Sequence, residues 1–146
     1  MEALIKANLL AVGLDGRTKV LNELPIRLIS VQSAGEAIQR IRNDRFESVL
    51  SRWHLKDMPG GLFLRKLRLV KPDMTTIVLV CSKDPSEEIR ARSIGVSAVL
   101  TEDCSDEFLL ATVASVLGIE APAEVSAILE TKTKAGTRRV YRSAAG

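Results

Sequence analysis

The sequence predicts an α/β protein with a doubly wound parallel sheet, and three observations lead to this fold class. Strand-like and helix-like segments alternate along the chain, five of each. No hairpin signal joins two of the strand-like segments, so helical crossovers must link parallel strands and cover both faces of the sheet. The segments NLLAV (8–12) and TTIVLVC (75–81) are apolar runs, as expected of strands that are buried on both faces.

Length and composition are those of one globular domain with an aliphatic core. The chain has 146 residues, of which 46% are hydrophobic, 27% charged and 3% aromatic. So few aromatic residues argue against a surface that binds single-stranded nucleic acid by stacking. The net charge is +1 over residues 1–118 and +2 over residues 119–146. We therefore expect a domain over 1–118 and a basic C-terminal extension over 119–146.

The two cysteines and the N-terminal segment predict a cytoplasmic protein. Cys81 and Cys104 form neither a CxxC pair nor part of a histidine-rich cluster, so we expect reduced thiols. The apolar run within residues 1–16 is flanked by Glu2 and Lys6. It is too short to cross a membrane and lacks the order of a signal peptide.

The first half of the chain predicts three strands and two helices. Strand 8–12 is followed by a short helix over 16–24 and by strand 26–31, whose alternation of apolar and polar residues is typical of an edge or half-covered strand. Ser33 and Glu36 form a capping box that opens the next helix. The third strand is predicted at 46–51. The inward side chains of the two helices are expected to be Val20, Leu21 and Leu24, then Ala37, Ile38 and Ile41.

The second half predicts three helices and two strands. A helix over 62–70 presents four apolar side chains to the sheet and a row of basic ones to the other side. Asp84, Pro85 and Glu87 supply an N-cap, a first-turn proline and a capping-box partner, and Gly95 ends that helix. After strand 97–101, Ser105 opens a helix that runs to Gly118. The apolar set of helix 62–70 is Phe63, Leu64, Leu67 and Val70, and the basic set is Arg65, Lys66, Arg68 and Lys71.

The basic set of helix 62–70 has two interpretations. Charged rows of this kind are most often a solvated helix face. The alternative is a basic patch that binds phosphate groups or an acidic partner.

Ligands of such sheets bind beyond the carboxyl ends of the strands, so the residues that follow each strand are the candidate site. After the first strand these are Gly13, Leu14 and Asp15, and after the third Arg52, Trp53 and His54. The last two strands contribute Cys81, Ser82, Glu102 and Asp103.

The stretch SVLSRWHLKDMPGG (48–61), together with the spacing of the elements, resembles the receiver domain of two-component response regulators. LKDMPG is similar to the family's loop leucine-proline-aspartate-methionine-aspartate-glycine, and GVSAVLTED (95–103) is similar to its final strand. The resemblance covers residues 8–118. It implies a flavodoxin-like sheet in strand order 2-1-3-4-5. It also implies phosphotransfer by two metal-binding acids, an aspartate phosphoacceptor, a serine or threonine, and a lysine.

The five phosphotransfer positions do not carry these residues. The acid pair falls on Gly13 and Leu14, although a shifted alignment brings Asp15 into the pair. The phosphoacceptor falls on Arg52, the hydroxyl on Cys81 and the lysine on Glu102. Neither a Mg²⁺ site nor an acyl-phosphate can be built from these side chains. We therefore interpret the chain as a degenerate pseudo-receiver with no metal, no cofactor and no enzymatic activity.

Arg52 and Glu102 reverse the charges of the aspartate and lysine of an ordinary receiver. We hypothesise that they form a bidentate ion pair across the strand ends, with Asp103 as a second acceptor. The alternative is that Arg52 points to solvent or lies along Trp53.

Protein–protein contact in a bacterial two-component-type pathway is the function that the resemblance implies. The partner is a sensor kinase, another signalling protein or a second copy of the chain. Its expected surface lies within 87–118 and is represented by Glu87, Arg90, Val99 and Phe108.

Two other functions stay open. One is a nucleic-acid adaptor that uses a basic tail, after a short helix striped by Val125, Ile128 and Leu129. The other is a small enzyme with a His54–Cys81 dyad. The basic side chains of the tail are Arg138, Arg139 and Arg142.

Overall fold

A computed structural model describes residues 5–119 and contains one five-stranded parallel sheet. The strands are β1 (Ala7–Val12), β2 (Ile26–Val31), β3 (Ser48–Arg52), β4 (Thr75–Val80) and β5 (Ala98–Thr101). They lie in the order β2-β1-β3-β4-β5, and every neighbouring pair is parallel. The predicted fold class and strand order are confirmed. The predicted tail helix and the basic residues of the tail lie outside the described residues and stay predictions.

The described residues form five helical segments, of which four connect successive strands and the last follows β5. They are a 3-10 helix (Asp15–Glu23), α1 (Ala34–Asn43), α2 (Leu62–Val70), α3 (Pro85–Ile94) and α4 (Asp106–Leu117). The first was predicted only as a short helix. Its N-cap, Leu14, has no side chain that can accept a hydrogen bond from the first turn, and Gly16 disfavours helix. Among the described residues, no helix is long and apolar enough to span a bilayer.

The sheet separates two hydrophobic cores, because successive strand residues point to opposite faces. In β1, Leu9 and Ala11 pack with the 3-10 helix and α4. Leu10 and Val12 pack with α1, α2 and α3. Helices therefore cover both faces of the sheet. Strand β2 is the half-covered edge that its alternation predicted.

The helix ends show where local sequence decides the structure and where it does not. Ser33 is confirmed as the cap of α1, because its Oγ accepts a hydrogen bond from Glu36 N. The return bond to Glu36 Oε1 comes from Gln32 N, one residue before the cap. Gly95 ends α3 in the left-handed conformation, as predicted. The prediction for Val70 is wrong: it is the last residue of α2 and 72% exposed, so the buried stripe ends at Leu67.

Candidate functional site

The carboxyl ends of the strands place the five phosphotransfer positions along one edge of the sheet. Gly13 follows β1 with φ +74, and Leu14 beside it is fully buried. Arg52 ends β3, Cys81 follows β4 and Glu102 follows β5. A glycine and a buried leucine offer no side-chain oxygen to a cation, and a guanidinium donates hydrogen bonds without accepting any. Within residues 5–119, no group of three or more histidine, cysteine or acidic side chains could hold a metal ion.

Arg52 and Glu102 face each other but do not form the bidentate pair that we hypothesised. Arg52 Nε lies 3.8 Å from Glu102 Oε2, which is within ion-pair distance and beyond hydrogen-bonding distance. Arg52 Nε is buried without a hydrogen-bond partner in the described structure. Since the two side chains are 35% and 41% exposed, water screens the pair, and it contributes less than about 1 kcal/mol.

Arg17 forms hydrogen bonds at this edge that the sequence analysis did not predict. From the 3-10 helix, its Nη1 donates to Glu102 O at 2.8 Å. Its Nη2 donates to Cys104 O at 2.8 Å and to Asp106 Oδ1 at 3.0 Å. One guanidinium thus joins the segment after β1 to the segment after β5 and to the first turn of α4. No local pattern could reveal this contact, because 85 residues separate Arg17 from Glu102.

A second cluster centres on the buried carboxylate of Glu87, whose side chain is 5% exposed. Glu87 Oε1 accepts a hydrogen bond from Cys81 N at 2.9 Å, and Oε2 lies 2.7 Å from His54 Nε2. The capping-box role predicted for Glu87 is therefore wrong, and Asp84 Oδ1 instead accepts from Ser86 N. Burial against the sheet turns the Glu87 side chain toward the end of β4. It links β4, α3 and the segment after β3.

The same contacts exclude the His54–Cys81 dyad. His54 Nδ1 accepts a hydrogen bond from Gly60 N at 3.0 Å, so the proton of the neutral ring lies on Nε2 and is donated to Glu87. Neither ring nitrogen is left to activate the Cys81 thiol, as a nucleophile would require. Within residues 5–119, neither cysteine forms a disulfide.

The predicted partner surface is mostly inside the protein. Glu87, Val99 and Phe108 are between 1% and 4% exposed, whereas Arg90 is exposed. Strand β5 is covered on both faces, and α4 carries seven successive buried residues, because its sequence FLLATVA is almost entirely apolar. Within the predicted partner surface, α3 has an exposed side, and Ile89 on this side is 66% exposed.

Asp57, from the loop between β3 and α2, caps the N-terminus of α1. Its two carboxylate oxygens accept hydrogen bonds from Ala34 N and Gly35 N, each at 2.9 Å. These backbone bonds, first that from Ala34 and then that from Gly35, hold the pKa of the Asp57 carboxyl below its ordinary value.

This cap predicts an acid-dependent loss of stability. Because the pKa of Asp57 is lower in the folded than in the unfolded chain, its contribution is present above about pH 4 and is lost as pH falls through the lowered pKa. The free energy of unfolding of wild type should fall more steeply below about pH 4 than that of Asp57→Asn. Urea unfolding at a series of pH values measures both slopes.

Asp73→Asn is the control for this measurement, since Asp73 is an exposed aspartate that accepts none of the hydrogen bonds given for residues 5–119. Its slope should match wild type. Equal slopes for Asp57→Asn and wild type would contradict the capping role.

Comparison with solved structures places this geometry among receiver domains. The receiver domain of an HD domain-containing protein from Pseudomonas fluorescens Pf-5 superposes with TM-score 0.69 at 22% identity, over 81% of this chain and 92% of that one. The CheY-like receiver domain protein from Methanospirillum hungatei JF-1 gives 0.69 at 21%, over 77% and 94%. The chemotaxis response regulator CheY4 of Vibrio cholerae gives 0.66 at 19%, over 75% and 98%.

No protein-family model and no curated protein matches the sequence. The structural matches show the fold: the described residues adopt the flavodoxin-like receiver fold of two-component response regulators.

Proposed function

We propose that the chain is a receiver-like signalling module that does not take up phosphate and acts by contact with a protein partner in a bacterial two-component-type pathway. The observation that carries the proposal is Arg52 at the end of β3, where an ordinary receiver has its phosphoacceptor. A guanidinium has no oxygen to attack a phosphoryl group, and Gly13 and Leu14 supply no ligand for Mg²⁺. The protein is not an enzyme in this proposal.

The contacts at the strand ends support a module that works in one state. Arg17 joins the 3-10 helix to the segment after β5, and Glu87 joins the end of β4 to His54. Both networks consist of direct hydrogen bonds between groups of the protein, so neither needs a phosphoryl group to hold the edge. We place the module in the cytoplasm, where the thiols of Cys81 and Cys104, which form no disulfide in the described structure, stay reduced.

The negative half of the proposal is tested by incubating the protein with acetyl phosphate, with and without Mg²⁺. Intact-protein mass spectrometry should find no added phosphoryl group, while a phosphorylatable receiver treated in parallel gains one. Mg²⁺-dependent phosphorylation of this chain would overturn the proposal.

The positive half is tested on the exposed side of α3. Ile89→Glu should reduce the capture of a specific partner, or dissociate a homodimer in light scattering, because it places a charge in an apolar contact. Ile5→Glu is the matched control, since Ile5 is 57% exposed and lies before β1, away from α3. Equal loss in both variants, or loss in neither, would count against a contact on α3.

A further inference from the structure

Helices α2 and α3 enclose a cleft of about 630 Å³, which is within the size range of small-molecule sites. Each helix lines the cleft with three side chains at the spacing i, i+3 and i+4, which places them on one helix face. Trp53 and Gly60 line it from the segment after β3. The six helical residues are Arg65, Arg68 and Leu69 from α2, and Arg90, Ser93 and Ile94 from α3.

The charged side chains that line this cleft are all positive. Three guanidinium groups line it, and no described carboxylate does. Within residues 5–119, Arg65, Arg68 and Arg90 form no ion pair with a carboxylate. Helix α2 itself has no acidic residue. Three like charges around one cleft repel each other, and a bound polyanion would remove that repulsion.

Arg68 is held in position by the protein. Its Nη1 donates to Pro72 O at 2.8 Å. Its Nη2 lies against Gly95, where a Cβ atom would approach it to 3.4 Å. Its Nε is buried and has no hydrogen-bond partner in the described structure. A guanidinium fixed in this way loses little conformational entropy when it binds a ligand.

Arg90 has an acidic neighbour, Asp84, with which its guanidinium forms no ion pair in the described structure. Asp84 Oδ1 accepts hydrogen bonds from Ser86 N and from Ser86 Oγ, and Asp84 does not line the cleft. The hydroxyl bond from Ser86 is the main cause that lowers the pKa of Asp84, and Arg90 adds to it through charge alone. The Arg90 guanidinium therefore keeps its hydrogen-bonding capacity for a ligand.

We propose that the cleft between α2 and α3 binds a small ligand that carries phosphate groups, with Arg65, Arg68 and Arg90 as its anion contacts. The planar fork of a guanidinium matches two oxygens of a phosphate. An acidic peptide fits less well, because three guanidinium groups around one cleft of small-molecule size match a compact polyanion better than an extended chain. The inference is independent of whether the chain takes up phosphate at the strand ends.

Inorganic pyrophosphate is the probe. Its dissociation constant is measured at low ionic strength by isothermal titration calorimetry, and backbone amide shifts locate the site. The double variant Arg65→Ala/Arg90→Ala should weaken binding by about tenfold or more, since it removes two charge-assisted contacts. Arg68→Lys should weaken it by about threefold, because the charge stays while the fork is lost. Thermal melting confirms that these variants fold.

Lys66→Ala/Lys71→Ala is the matched control. It removes two positive charges from the same part of the chain, but from the side of α2 that faces α1. Its dissociation constant should stay within about twofold of wild type. Equal weakening in the two double variants would overturn the proposal, as would amide shifts outside the cleft, an absence of pyrophosphate binding, or tighter binding of a hexaglutamate peptide.

Discussion

Gly61→Ala is expected to lower the free energy of unfolding by about 3 kcal/mol, since the substitution adds overpacking to a left-handed backbone. Gly61 has φ +78, and a Cβ atom built on it would overlap three carbons of the Trp53 ring. That ring is 2% exposed and belongs to the core under α1, α2 and α3, so it has little room to move aside. Urea unfolding measures the loss.

Gly60→Ala is the control that separates the two causes. Gly60 has φ +66, but nothing lies within 4 Å of its built Cβ. Its substitution therefore carries only the left-handed cost, about 1 kcal/mol. Trp53 is the one tryptophan of the chain, so its fluorescence reports on the ring directly. The emission should shift to longer wavelength in Gly61→Ala and not in Gly60→Ala. Equal losses of stability would show that contact with the ring is not the cause.

Local pattern along the chain correctly predicted several parts of this structure. Apolar runs placed the strands to within a few residues: β3 was predicted at 46–51 and lies at Ser48–Arg52. Ser33 and Glu36 were correctly paired because a capping box involves neighbours along the chain. The residues that follow each strand were expected at this edge for the same reason. The assignment of five of them to phosphotransfer positions came from the resemblance to receiver domains.

The contacts that hold the edge together could not be predicted in this way. Arg17 reaches Glu102 because the 3-10 helix and α4 lie on the same face of the sheet, which is a consequence of strand order. The pattern of Asp84 and Glu87 matches a capping box, but a buried carboxylate must find hydrogen-bond donors, and the nearest are Cys81 N and His54 Nε2. Tertiary contact overrides the local pattern here.

Glu87→Ala is expected to lower the free energy of unfolding by about 3 kcal/mol. The substitution removes two hydrogen bonds to a charged acceptor, leaves the amide of Cys81 without its partner and frees the His54 ring. Glu88→Ala is the matched control, since it removes the same charge from the next residue of α3. Glu88 pairs on the surface with Arg92, and its loss should cost less than about 1 kcal/mol.

Glu87→Gln tests which atoms donate and which accept the hydrogen bonds around residue 87, because it keeps the size of the side chain. Glutamine can accept from Cys81 N with its oxygen, but its amide group then faces His54 Nε2 as a donor. His54 could accept only by moving its proton to Nδ1, where Gly60 N–H already donates. One hydrogen bond must therefore be lost, and Glu87→Gln should cost about 1–2 kcal/mol.

A double-mutant cycle with His54→Ala separates this conflict from a general effect of the amide. If the Glu87–His54 bond is the cause, His54→Ala should be more costly in wild type than in Glu87→Gln by about 1 kcal/mol. Nitrogen-15 shifts of the imidazole should place the proton on Nε2 in wild type. A coupling energy near zero, or a proton on Nδ1, would contradict the arrangement in which Glu87 fixes the tautomer of His54 and, through it, the segment after β3 that ends in Gly60.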